Sequence, residues 1–275
     1  MKYKENNQLP ISIVIRCSDD FRVFDCINSI DEDVEVIISL TKNNRIQERL
    51  EKSKIKYYIA PKGNLSIISN LGVRISNYDK VIITDSDTIF ETGCILEFFH
   101  ALNKFDIVRA SLIFRKDQRN VFSKIIAKAR EYVYEKNLAF TPGLGINKSI
   151  IENISGFLFN SPVPWAVDAD LNFRIKREGI PIKILKYAHI HHVPIKLKHD
   201  LKAAFRIGMG VCVSVKELSK LYPDSKNIKR NLKAVKKNEY YYVFKRKSLM
   251  VLFYQIIWDI FFQIGFLVQK YLNIY

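Results

Sequence analysis

The sequence predicts an α/β domain built around a mostly parallel sheet. Three observations carry this. Short apolar, β-branched runs recur through the first hundred residues. Segments with apolar residues at helical spacing stand between them, and Pro, Gly and Asn punctuate the joins. Near-continuous apolar runs suit strands buried on both faces, and strict strand–helix alternation suits a parallel sheet covered by helices. Ligands of such sheets bind outside the carboxyl ends of the strands.

In chain order, residues 11–15 read as a buried strand and 21–30 as a helix. Residues 34–40 are a second strand and 45–52 a polar helix. Residues 55–60 are a third strand, stopped by Pro61 and Gly63, followed by a helix over 65–75 and a fourth strand over 80–84. Beyond Glu91 the pattern loosens. Residues 95–103 read as a helix, 107–114 as a strand, 121–134 as a long helix and 141–145 as a turn-rich loop. A helix over 169–177, a strand over 182–190 and a basic helix from Lys196 complete the domain, which is taken to run over residues 1–215.

Composition narrows the function classes. The chain has 275 residues, 48% of them hydrophobic, so a sizeable core is expected and disorder is excluded. The net charge of +16 favours acidic partners such as phosphorylated ligands, anionic lipid or nucleic acid. It is uneven: residues 216–247, read as a basic helical extension, hold eleven Lys or Arg and three Asp or Glu. Cys17, Cys26, Cys94 and Cys212 form no C-x-x-C pair, which argues against zinc and for reduced, cytosolic thiols. Residues 1–10 are polar, without the apolar core of a secretion signal.

The last part, residues 248–275, differs in kind. Residues 249–268 read LMVLFYQIIWDIFFQIGFLV, with Asp259 the one charge. That length can span a bilayer as a helix. Gln255, Asp259 and Gln263 recur every four residues as one polar stripe, which favours an interfacial helix or a stripe packed on protein. With Lys245-Arg246-Lys247 directly before it, the segment is expected to contact an anionic membrane surface, peripherally or as a single pass.

The sharpest chemical signal is Asp85-Ser86-Asp87 after the fourth strand. Carboxylates at i and i+2 on a strand end can meet one hard cation, Mg²⁺ or Mn²⁺, which prefers oxygen and bridges to phosphate. A turn or helix cap uses the same residue types. With Ile11-Ser12-Ile13-Val14-Ile15, Lys62-Gly63-Asn64-Leu65-Ser66, Asn70-Leu71-Gly72, Gly93 and Trp165-Ala166-Val167-Asp168-Ala169-Asp170-Leu171, it resembles the family-two glycosyltransferases of the GT-A fold, over roughly residues 10–215.

That resemblance implies an inverting transfer of sugar from a nucleotide-diphosphate sugar to an acceptor hydroxyl. A lipid-linked or polysaccharide (glycan) acceptor, and a place at the cytoplasmic face of the cell membrane, are suggested by the membrane-like tail. The resemblance implies Asp168 as general base, and Asp85 and Asp87 on the metal, joined by His191 and His192. Arg16, Asp19, Asn64, Asn70, Asp85 and Ser86 fall on the donor side, and Gly143, Gly145 and Trp165 on the acceptor side. The sequence departs from the family at Val167, where Glu is usual, and at residues 39–43, where an acidic run is expected. Arg16 is a candidate to contact a phosphate, and Asp19 to replace the missing acid. Competing readings are a nucleic-acid binder, for which no motif is present, a nucleotidyltransferase, whose Gly-rich loop is missing from residues 16–22, and an inactive domain that only binds.

Overall fold

The computed structural model describes residues 8–61, 63–226, 228–232, 236 and 239–274. The first seven residues of the polar N-terminus, Lys62 of the Gly-Asn stretch, parts of the basic stretch 216–247 and Tyr275 lie outside the described residues.

The first half alternates as expected: β1 (Ser12–Cys17), α1 (Val23–Asn28), β2 (Glu35–Thr41), α2 (Asn44–Lys52), β3 (Lys56–Ala60), α3 (Leu65–Ile75) and β4 (Lys80–Asp85). Then come β5 (Thr88–Phe90), α4 (Cys94–Leu102), β6 (Ile107–Phe114), α5 (Val121–Tyr134), β7 (Leu144–Asn147) and α6 (Ile150–Asn153). The chain continues with α7 (Val167–Arg177), β8 (Lys183–His192), α8 (Leu197–Leu221), α9 (Ile228–Asn231), α10 (Tyr240–Arg246) and α11 (Leu249–Leu272). Helix α8 runs on through residue 215.

The strands form one sheet in the order β3-β2-β1-β4-β7-β6-β8-β5. Strands β1 to β4 pair in parallel, as do β6 and β8, while β7 runs antiparallel to both β4 and β6. Alternation along the strands sorts the core. Ile13 and Ile15 of β1 and Ile82 of β4 join α1, α2 and α4 on one face. Val14, Val81 and Ile83 join α3, α6 and α7 on the other. A third cluster sits apart from the sheet and packs α5, α8, α10 and α11 together.

Local chemistry sets several helix starts. Asn43, Asn64 and Asn120 each accept a hydrogen bond from the backbone three residues on, at 3.0–3.2 Å, which satisfies an otherwise orphaned helical N–H. Asn64 also reaches across the fold, where its amide donates to the Ser161 carbonyl at 2.8 Å. Asn70 clamps Phe159 in both directions, at 2.6 and 3.0 Å. Two residues expected on the donor side thus tie α3 to the loop before α7.

The loop read over 141–145 is different in kind. Its second half is the start of β7, and Gly145 lies within the sheet because Phe98 and Val108 occupy the space a side chain would need. Gly143 is hemmed in by Ile190 and Ala110. Both glycines are packed in the sheet and neither lines the cleft described below, so the acceptor assignment of Gly143 and Gly145 is corrected to a packing one.

Candidate active site

The carboxyl ends of β1 and β4 lie side by side, with Arg16 in register with Asp85. Arg16 is 6% exposed, and its guanidinium grips Asp85 Oδ1 from two nitrogens at 2.7 and 2.8 Å. The Ser86–Asp87 turn is held from beneath: the Thr88 hydroxyl donates to the Asp85 carbonyl at 2.7 Å, and the Ser86 N–H to the Arg16 carbonyl at 3.0 Å. Asp87 Oδ2 then lies 3.5 Å from His192 Nε2 and 3.6 Å from Arg22. Burial pushes the Asp87 carboxyl above its ordinary value; His192 and Arg22 oppose the rise and Asp85 adds to it.

Asp168 enters from the other side. It stands at the start of α7, shortly after Ala166, whose φ of +59° is a left-handed backbone that a side-chain-bearing residue adopts at a cost. That turn sends Val167 into the apolar core, 2% exposed, and Asp168 into a cleft. Asp168 Oδ1 accepts from the Thr141 hydroxyl at 3.0 Å and the Thr141 N–H at 3.3 Å, so it braces a neighbouring loop instead of capping its own helix. Burial pushes its carboxyl up to about 6, with Arg16 and the Thr141 bonds pulling down and Asp85 pushing up.

The cleft has a volume of about 460 Å³ and brings Arg16, Asp85, Asp168, Trp165 and His192 into one lining. Its opposite wall belongs to the helical layer, with Arg206 of α8 and Gln255, Trp258 and Phe262 of α11. Arg206 lies over the Trp165 ring, 4.8 Å from its centre.

Among the described residues, no three His, Cys, Asp or Glu side chains converge into a group that could hold a metal. The donor set is Asp87 beside His192, with Asp85 nearby and turned to Arg16. Such a set fits a hard cation that brings phosphate oxygens of its own, as Mg²⁺ and Mn²⁺ do at nucleotide sites, and not a protein-only cage.

No family model matches the chain, and no curated protein matches it. Solved structures do. The S. aureus TarS fragment 1–349 in complex with UDP-GlcNAc is similar with a TM-score of 0.52 at 10% identity, over 94% of this chain and 91% of that one. GalNAc-T7 with UDP, GalNAc and Mn²⁺ is similar with a TM-score of 0.55 at 12% identity, over 93% of this chain and 58% of that one. The chain has the GT-A fold.

Within this GT-A fold the remaining candidates separate. His191 is one residue from His192, so strand alternation turns it to the opposite face of β8. There it shares Glu91 with His189 and does not join Asp87, a correction to its placement on the metal. Asp19 is exposed, and its neighbour Asp20 is the acidic group built into the site. Asp20 binds Arg22 through both oxygens at 2.6–2.9 Å and reaches Ser86 at 3.5 Å. Burial raises the Asp20 carboxyl, but the Arg22 bonds outweigh this and hold it below the ordinary value. No spacing rule pointed to Asp20 or Arg22. The cue was an acidic residue just past a strand whose usual acidic partner run is missing.

An Asp with a carboxyl near 6 is a stronger base than an ordinary aspartate and still ionised at neutral pH. If Asp168 accepts a proton in the reaction, the rate is expected to fall as pH drops through about 6, where the accepting form is lost. A rate–pH profile checks this. One that stays flat down to the ordinary aspartate value of 3.8 would remove Asp168 from the role.

Proposed function

We propose that this chain is an inverting glycosyltransferase of the family-two kind. It moves a hexosyl group from a nucleotide-diphosphate sugar to a hydroxyl of a lipid-linked or polysaccharide acceptor. The observation that carries the proposal is a single cleft lined by Arg16, Asp85 and the raised carboxyl of Asp168, at the carboxyl ends of parallel strands.

In this reading Asp168 takes the proton as the acceptor oxygen bonds to the anomeric carbon. The bond from that carbon to the diphosphate oxygen breaks, and the nucleoside diphosphate leaves with the electron pair. Attack from the face opposite the leaving group inverts the configuration. Arg16 holds Asp85 in position, and a Mg²⁺ or Mn²⁺ ion on the Asp85–Asp87 side, with His192, would neutralise charge on the departing diphosphate. Trp165 offers an apolar face to a sugar ring. That TarS is seen with UDP-GlcNAc, and GalNAc-T7 with UDP and Mn²⁺, supports a uridine nucleotide and a divalent ion as the first ligands to test. The apolar segment 248–275 supports an enzyme held at the cytoplasmic face of a membrane, where nucleotide sugars are available.

Thermal shift with UDP and UDP-sugars, with and without Mn²⁺, is the direct test, because a ligand that binds only the folded state raises the melting temperature. Asp87→Ala is expected to abolish the Mn²⁺-dependent part of the shift while leaving the fold intact. An unchanged Mn²⁺-dependent shift in this variant takes Asp87 out of the site.

A further inference from the structure

One side of α11, which carries Gln255 and several buried aromatics, faces the domain. Tyr254, Trp258, Phe262 and Phe266 are buried against α5 and α8. Gln255 is 2% exposed and lines the cleft. The crossing with α8 is so close that a Cβ on Gly265 would lie 1.9 Å from the Phe205 carbonyl oxygen, and one on Gly208 2.0 Å from that of Phe262. Backbone touches backbone, so α11 is fixed to the catalytic domain along its length and cannot leave to cross a bilayer alone without opening the cleft wall.

The opposite face is apolar and uncovered. Phe253, Ile256, Ile257, Ile260, Ile264 and Leu267 follow one another at spacings of one, three and four residues, each 41–56% exposed. Tyr241, Tyr242 and Phe244 of α10 add exposed aromatic surface at the N-terminal end. Cations stand at both ends, Lys245 and Arg246 before the helix and Lys270 in its last turn. A second copy of this chain would bring those like charges together, whereas an anionic lipid surface complements them.

We infer that α11 is an in-plane membrane anchor. It lies flat on an anionic lipid surface with its Phe253–Ile260–Leu267 face immersed, and does not span the bilayer. Helices of this kind bury their apolar face roughly 5–10 Å into the headgroup boundary. The inference refines where the proposed enzyme sits and is independent of its chemistry.

The test uses the full chain. Phe253→Cys, Ile260→Cys and Leu267→Cys, each in a Cys212→Ser background, place nitroxides at seven-residue steps on one face. They are added to phosphatidylcholine vesicles with and without phosphatidylglycerol. The expected result is sedimentation with the anionic vesicles and the same shallow depth at all three positions. A depth that passes through the bilayer centre between Phe253 and Leu267 means a span and overturns the inference. Label-to-label contact in lipid-free protein, without vesicle binding, means a second copy covers the face and overturns it too. In a separate variant, Ile257→Glu, Ile260→Glu and Ile264→Glu together are expected to weaken vesicle binding at least tenfold and to leave the UDP-dependent thermal shift unchanged. Vesicle binding that survives this triple change also overturns it. A protein that binds vesicles but no nucleotide would defeat the proposed function and leave the anchor standing.

Discussion

Asp168→Asn is expected to bind donor normally and transfer sugar roughly 10²–10⁴-fold more slowly, the usual worth of a positioned general base. The substitution keeps the size of the side chain and the oxygen that accepts from Thr141, so the loop it braces stays in place. It removes the proton acceptor and one negative charge beside Arg16 and Asp85. Donor affinity and single-turnover transfer, measured on the same preparation, separate the two roles. Full transfer would assign the proton to another group. Lost donor affinity with unchanged turnover would make Asp168 a donor-side residue. The acid limb near 6 should disappear from the profile of whatever activity remains.

The second large effect falls on stability. Arg174 and Asp170 of α7 are both fully buried, paired at 2.8–2.9 Å. Arg174 also donates to the carbonyls of Ile154, Phe157 and Leu158, tying α7 to the loop after α6. Arg174→Met strips Asp170 of its cationic partner, leaving it the Asn160 hydrogen bond, and leaves three carbonyls without their donor; removing one partner of a buried pair costs about 3–5 kcal/mol. Denaturant unfolding should show the loss as a lower midpoint. Arg174→Met combined with Asp170→Leu should recover part of it, since no charge is then stranded. A single substitution costing less than about 1 kcal/mol, the worth of an exposed pair, would mean water reaches the site.

The parallel half of the sheet was legible because strands buried on both faces must be apolar throughout, as Ile11 to Ile15 and Val81 to Ile83 nearly are. Strands β5 and β7 were not. They are three and four residues long, and each exists only through antiparallel pairing with distant chain, a tertiary fact with no local signature. In the site, Asp85 and Asp168 stood out by residue type and order. The choice between His191 and His192 was not legible, because the strand was read only to residue 190; β8 runs on to His192, and neighbours on a strand cannot face the same way. Asn64 and Asn70 cap and bridge in the structure, roles that sequence cannot tell apart from ligand binding because the amides look alike. The stripe at Gln255, Asp259 and Gln263 gave the period of α11, but only packing shows which face is spoken for.

The close crossing of α8 and α11 bears on how the protein is best prepared. The common remedy for an insoluble apolar tail is to cut it off. Here the cut would remove Trp258 and Phe262 from the cleft wall and strip the partner surfaces of Gly208 and Phe205, so a truncated protein would be a damaged one. Solubility is better sought from outside. Polar replacements at Ile257, Ile260 and Ile264 change only the face turned away from the domain, and keep every residue that shapes the cleft.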